Sequence, residues 1–142
     1  MDTLHYSNLG ALLKKDGYSL TKPRKIVFDL LFEQEPQGMQ VLVKRAERRV
    51  NRATVYRTVE LFERLGITHR LNIGWKYKIE LSDVFHTHHH HFFCTRCNKT
   101  FSLPPSPMLE TMIDSYTAQT GYYARGHSLE ISGLCENCQN QG

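Results

Sequence analysis

Long apolar stretches are missing from this 142-residue chain. Runs such as Val41-Leu42-Val43 fall far short of the roughly 20 apolar residues that a membrane-spanning helix needs. The start, Met1-Asp2-Thr3-Leu4-His5, lacks the basic segment followed by an apolar one that marks an export signal. Both absences point to a soluble, cytoplasmic protein. Catalytic signatures are missing as well: there is no GxSxG, no HExxH, no glycine-rich phosphate loop, and no HxE with PCxxC of the zinc deaminases. The reading is of a non-enzyme, since a metallohydrolase would have to rest on histidines alone. The length leaves no room for repeat arrays or large multidomain enzymes. With 40% hydrophobic and 23% charged residues, wholesale disorder is excluded too.

The net charge of +4 is unevenly spread. Up to Glu80 there are 15 Lys and Arg against 9 Asp and Glu, and beyond it 3 against 5, so one half is basic. No long amphipathic apolar face accompanies that charge, which favours DNA or RNA over membrane as partner. Cysteine is scarce and confined to the other half, in two CxxC pairs, Cys94/Cys97 and Cys135/Cys138. In a chain without an export signal, a tetrahedral thiolate site is a stronger explanation than disulfides. Four thiolates about 2.3 Å from a zinc ion fill its coordination and leave no position for substrate, so the zinc is structural. A rubredoxin-like iron site, a redox dithiol pair and plain buried cysteines are the alternatives.

The basic half reads as helices and then strands. Leu4, Leu9, Leu12 and Leu13 give a first helix ending near Asp16-Gly17, and Thr21 with Pro23 opens a second that ends before Pro36-Gln37-Gly38. A third runs from about Gln40 to Arg48 without an obvious cap. Asn51 caps a fourth, in which Val55, Val59, Phe62 and Leu65 face inward and Arg52, Tyr56 and Arg57 outward. Gly66 ends it, and Ile67 to Leu71 and Trp75 to Leu81 form a hairpin joined by Asn72-Ile73-Gly74, the outline of a winged helix. After the histidine run a short strand at Thr100-Phe101-Ser102 is predicted. A helix bearing Leu109, Met112, Ile113 and Tyr116 follows, closed by Gly121, and then a strand over Tyr123 to Leu134. The fold class is α+β: residues 1–81 a winged-helix DNA-binding domain, 82–85 a hinge, and 86–142 an α/β metal-binding domain.

Lys44, Arg45, Arg48, Arg49, Arg52 and Arg57 concentrate cations in two helices joined by a short turn, where phosphate contact is the expected task. Tyr56 beside Arg57 suits a thymine methyl next to a phosphate or guanine edge. The histidine run His86-Thr87-His88-His89-His90-His91, laid on a strand, sends His88 and His90 one way and His89 and His91 the other, so one tetrapeptide can serve two sites. Imidazole suits zinc, iron, copper and nickel, and added carboxylates turn the preference toward iron, manganese or zinc. Periodicity assigns nothing to His127, Glu110, His69, Glu80 or Asp83; His127 reads as structural, and Glu110 as an acid favoured by its helix dipole.

Taken together, Thr21-Lys22-Pro23-Arg24, Ala53-Thr54-Val55-Tyr56-Arg57-Thr58, the histidine run directly before Cys94-Thr95-Arg96-Cys97, and His127-Ser128-Leu129 ahead of Cys135 form a specific pattern. With it the chain resembles, over nearly its whole length, the ferric uptake regulator superfamily of metal-responsive bacterial repressors. The resemblance implies a winged-helix domain, a hinge and an α/β dimerisation domain. It implies Lys22, Arg24, Arg52, Thr54, Tyr56 and Arg57 as DNA-binding residues, and Cys94, Cys97, Cys135 and Cys138 as the structural zinc site. It implies His88, His90, Glu110 and His127 as a site inside the dimerisation domain. For a regulatory site at the hinge it implies His89 and His91 with Glu80 or Asp83, and in the zinc-sensing branch His69. The loop from Glu35 to Gln40 departs from the pattern in having no histidine, and Asp83 stands where zinc sensors often have cysteine.

The function expected is a homodimeric repressor that binds a palindromic double-stranded DNA operator when a second divalent metal is held, zinc or iron, with manganese the further candidate. A zinc-stabilised DNA-binding protein without metal sensing and a small metal-binding or storage protein are the alternatives.

Overall fold

The computed structural model describes residues 3–142 and divides between Thr87 and His88 into two compact units. Among the described residues, no helix is long and apolar enough to cross a membrane.

The first unit is built on four helices and a hairpin: α1 (Thr3–Lys15), α2 (Lys22–Leu31), α3 (Met39–Ala46), α4 (Arg52–Arg64), β1 (Thr68–Ile73) and β2 (Lys76–Leu81). Pro23 in the first turn of α2 has its φ already set for a helix, and Asn51 caps α4 by accepting a hydrogen bond from the Thr54 N–H at 2.9 Å. Gly38 precedes α3 and offers no side-chain cap, and that helix stops at Ala46 rather than near Arg48. Arg48 itself adopts a left-handed φ of 72° that no helix continues. Val27, Phe28, Leu42, Val55, Phe62, Ile67 and Ile79 form a fully buried core. The hairpin pairs Thr68 with Leu81 through to Ile73 with Lys76, so the turn is Gly74-Trp75 and β1 runs two residues further than its hydrophobic pattern suggested. Backbone pairing of Gln37 with Ile79 ties the loop after α2 to β2.

The second unit has a three-stranded sheet in the order β4 (Thr100–Ser102), β3 (His91–Cys94), β5 (Glu130–Gly133). β3 and β4 are antiparallel, whereas β3 and β5 are parallel and so require the crossover that α5 (Pro107–Ala118) provides. Ser106 caps α5 by accepting from the Leu109 N–H at 3.3 Å. The strand expected over Tyr123 to Leu134 shortens to four residues, and a short helix, α6 (Glu136–Asn140), follows Cys135.

The interior of this unit is unusual. Among the described residues of 88–142, the buried ones are His90, His91, Cys94, Thr100 and Cys138, and no aliphatic or aromatic hydrocarbon side chain is buried. On α5, Leu109 and Ile113 are half-buried, whereas Met112 and Tyr116 face water, 63% and 75% exposed. Helical periodicity located the stripe correctly but could not say what covers it.

Candidate functional site

Three constellations stand out, and each is built by elements just described. The first is the four-cysteine cluster. β3 ends at Cys94, a turn carries Cys97, and the loop after β5 and helix α6 deliver Cys135 and Cys138. The strand pairing that puts Cys94 beside Gly133 brings the two CxxC turns together. Their sulfurs lie within 4.8 Å of one another, and Cys97 Sγ is 3.9 Å from Cys135 Sγ. Four thiolates at 2.3 Å from a tetrahedral zinc stand about 3.8 Å apart, so the donor set fits that ion in both chemistry and spacing. The Cys135 N–H points at Cys94 Sγ at 3.4 Å, and this with other backbone N–H groups draws the Cys94 thiol down to about 6. Burial and the neighbouring sulfurs push Cys138 up to about 12.

The second is a mixed nitrogen and oxygen cluster within the same unit. His88, His90, Glu110 and His127 offer ligand atoms that all lie within 4.8 Å of one another. His90 Nε2 is 2.6 Å from Glu110 Oε1, His127 Nε2 is 2.8 Å from Glu110 Oε2, and the His88 and His127 Nε2 atoms are 3.2 Å apart. Burial works against ionisation of Glu110, but the hydrogen bond from His90 and the charges of His127, His90 and His88 outweigh it and hold the carboxyl below its ordinary range. Three imidazoles and one carboxylate converging on a point suit a divalent ion such as zinc, iron or manganese. Sequence periodicity had no means of selecting Glu110 and His127, because the first turn of α5 and the segment before β5 meet only through the crossover.

The other histidines and acids named at the hinge divide between the two units. In the first, His69 Nε2 lies 2.9 Å from the buried Glu80 Oε1, across the paired positions of β1 and β2, while Asp83 is 3.8 Å from His86 Nδ1. In the second, the His89 and His91 rings lie 4.6 Å apart. The histidine run alternates as a strand would, although the ladder of β3 begins only at His91.

The third constellation is basic and lies in the first unit. Thr21, Pro23, Arg24, Thr54, Arg57 and Thr58 line one shallow depression where the start of α2 meets the exposed side of α4. Lys22 is exposed, and Arg24 is anchored by donating to the Ser19 carbonyl at 2.6 Å. Arg57 is exposed and reaches Thr54 Oγ1 at 3.3 Å. Tyr56 is only half exposed: its ring packs on the core, with the Arg52 guanidinium 5.2 Å from its centroid. Arg45 is exposed, and one nitrogen of its guanidinium donates to the Leu30 carbonyl at 2.9 Å and to Gln37 Oε1 at 2.5 Å. Sequence reasoning counted it among the cations of the two helices. It also passed over Tyr18, whose hydroxyl accepts from Arg64 at 3.0 Å and whose ring lies 5.3 Å from Arg24.

Known proteins share this fold. The pattern of the ferric uptake regulator family matches residues 15–132. The ferric uptake regulation protein of Campylobacter jejuni is 28% identical over 137 residues, covering 92% of this chain and 85% of its own. The crystal structure of the Vibrio cholerae ferric uptake regulator superposes with a TM-score of 0.73 at 26% identity, over 89% of this chain and 99% of that one. The Francisella tularensis regulator, solved with iron, gives 0.71 at 25% identity, over 87% and 96%. With a match across most of its length, the chain belongs to the ferric uptake regulator family.

Proposed function

We propose that the chain is a metal-dependent transcriptional repressor that binds a palindromic DNA operator as a homodimer. In this reading residues 1–81 bind DNA, 82–85 act as the hinge and 86–142 form the dimerisation domain. The observation that carries it is the company of two different ligand clusters, one of four sulfurs and one of three imidazoles and a carboxylate, in a chain whose other unit bears an exposed basic face. Soft thiolates suit a permanent zinc, and the nitrogen and oxygen set suits an exchangeable iron, zinc or manganese ion. Such sulfurs need a reducing compartment, which makes the cytoplasm the place of action.

Dimerisation is supported by what the second unit lacks. Without a buried hydrocarbon core it needs both its zinc and a covering partner for Met108, Met112, Tyr116 and Ile131, all exposed in the single chain. Lys22, Arg24, Arg52 and Arg57 take phosphates, while Thr54 and Tyr56 face the base edges. His69 and Glu80 on the first unit, with His89 and His91 on the second, are the ligands of a regulatory site, Asp83 being the further candidate. A divalent cation held by both pairs supplies the charge that ties the units together; a 100-fold preference for the tied form is worth about 2.7 kcal/mol. Each homodimer then presents two recognition helices at the fixed spacing that an inverted-repeat operator demands.

A gel-shift titration tests the reading. Chelated protein should bind an operator selected from a random duplex pool at least tenfold more tightly once zinc, iron or manganese is restored. Affinity indifferent to all three ions would overturn metal-dependent repression.

A further inference from the structure

Gln37 stands where three elements of the first unit meet, and it is buried. Its backbone N–H donates to the Ile79 carbonyl at 2.9 Å and its carbonyl accepts from the Ile79 N–H at 2.7 Å, which fastens the loop after α2 to β2. Its side-chain Nε2 donates to the Leu30 carbonyl in the last turn of α2 at 2.8 Å. Its Oε1 accepts from Arg45 in the last turn of α3, and the same Arg45 nitrogen also donates to the Leu30 carbonyl. One residue thus joins α2, α3 and β2. A methionine would fill the same place without burying an amide, whose desolvation is offset only while its directional bonds are made. The amide therefore fixes a geometry that packing alone leaves loose.

The strand that Gln37 holds carries part of the regulatory site proposed above. Glu80 follows Ile79 directly, is buried, and lies 2.9 Å from the Nε2 of His69, its paired position on β1. Successive residues of a strand face opposite ways, so Ile79 enters the core, fully buried, while Glu80 meets His69. Close-packed interiors pass small shifts on rather than absorb them. At the far end of the chain of contacts, α3 runs into α4 through a turn that is bonded back onto it. The Val50 N–H donates to the Ala46 carbonyl at 3.0 Å, and the Arg49 guanidinium to the Arg45 carbonyl at 3.0 Å. Helix α4 then carries Thr54, Tyr56 and Arg57.

We propose that Gln37 and Arg45 are positioning residues that carry the state of the His69–Glu80 pair to the recognition helix. When Glu80 turns its carboxylate from His69 toward a divalent ion, β2 shifts at Ile79, and the doubled backbone bond moves Gln37 with it. The planar guanidinium of Arg45, held by both Gln37 and Leu30, passes the shift to the end of α3 and so to α4. The relay rests on the metal-dependent reading above and adds to it a path that stays within the first unit. Its work is read in the coupling between the two ligands, ion and duplex, rather than in the affinity for either one.

A fluorescein-labelled duplex, selected by the native protein from a random pool, is titrated by anisotropy at fixed ionic strength. The protein is used chelated but with its four-cysteine zinc kept, and again after manganese or zinc is restored. The native chain should gain at least tenfold in affinity from the ion. Arg45→Met and Gln37→Met should each cut that gain to about twofold, and the double variant should lose no more than either single one, because the two side chains act as one link. By reciprocity, the strengthening of manganese binding by duplex should shrink by the same factor. A phosphate contact made by Arg45 counts equally with and without the ion, so its loss leaves the ratio where it was. A native-sized gain in Arg45→Met, which alters an exposed side chain, would overturn the relay even if Gln37→Met fails to fold. Absence of any gain in the native chain would instead overturn the metal-dependent reading, and the relay with it.

Discussion

His90 Nε2 and Glu110 Oε1 meet at 2.6 Å although one lies just before β3 and the other in the first turn of α5. The contact joins the histidine run to the crossover helix, and with His88 and His127 it forms a ligand set from three separate stretches of chain. Removing the charge while keeping the shape should therefore act on metal and little else. Glu110→Gln is expected to weaken binding at this site roughly 100-fold, the upper end of what loss of even an outer partner costs. The four-cysteine zinc should stay at full occupancy. Competition against buffered zinc and manganese, with total metal counted by emission spectroscopy, reads both numbers.

The absence of a buried hydrocarbon core in residues 88–142 leads to a second expectation. Cys97→Ser should remove one zinc per chain and unfold the second unit, because apparent binding free energies of about 10–16 kcal/mol for structural zinc are folding free energy in such small units. Hydrogen exchange should then show β3, β5 and α5 unprotected while α2 and α4 remain protected. Retention of protection in β3 without zinc would refute this.

Met112 and Tyr116 form the exposed side of α5. Replacing both by lysine should leave the chain monomeric at concentrations where the native protein sediments as a dimer, since a cation pair at the centre of an apolar contact remains desolvated and unpaired.

Helix α4 depends on its cap. Asn51→Ala removes the acceptor of the Thr54 N–H and should cost about 1 kcal/mol of unfolding free energy, read from urea unfolding of the first unit, whereas Asn51→Asp should be near neutral.

Burial, together with the hydrogen bond donated to Asp29 at 2.7 Å and the charge of that acid, pushes the Tyr6 hydroxyl up to about 12 from 10.0. A raised phenol favours the neutral form in the folded state. Its contribution is complete below pH 10 and fades as pH climbs from there through 12. Urea midpoints at pH 9 and pH 11.5 should fall further for the native chain than for Tyr6→Phe.

Much of this was legible because local chemistry and global fold agree at particular residues. Pro23 and Asn51 start their helices where the pattern placed them, and the two CxxC turns announce a shared site whatever lies between them. The alternation of the histidine run likewise separated His88 and His90 from His89 and His91. What could not be read depended on distance or on company. Glu110 and His127 acquire meaning only when the parallel β3–β5 pairing closes the crossover, and no local signal encodes that pairing. Resemblance to known sequences supplied them; periodicity did not. The periodicity that placed Met112 on a helix is silent on its exposure, because a helical stripe is the same whether its own chain or another covers it.

Arg45 has one more consequence. One nitrogen of its guanidinium is held by the Leu30 carbonyl and the Gln37 amide oxygen, while the residue stays exposed. Counterions leave a duplex only for cations that reach it, each lowering the slope of log affinity against log salt by about 0.9. An anchored but exposed cation of this kind still adds one such step to the ionic-strength sensitivity of a half-site whose phosphate reaches α3.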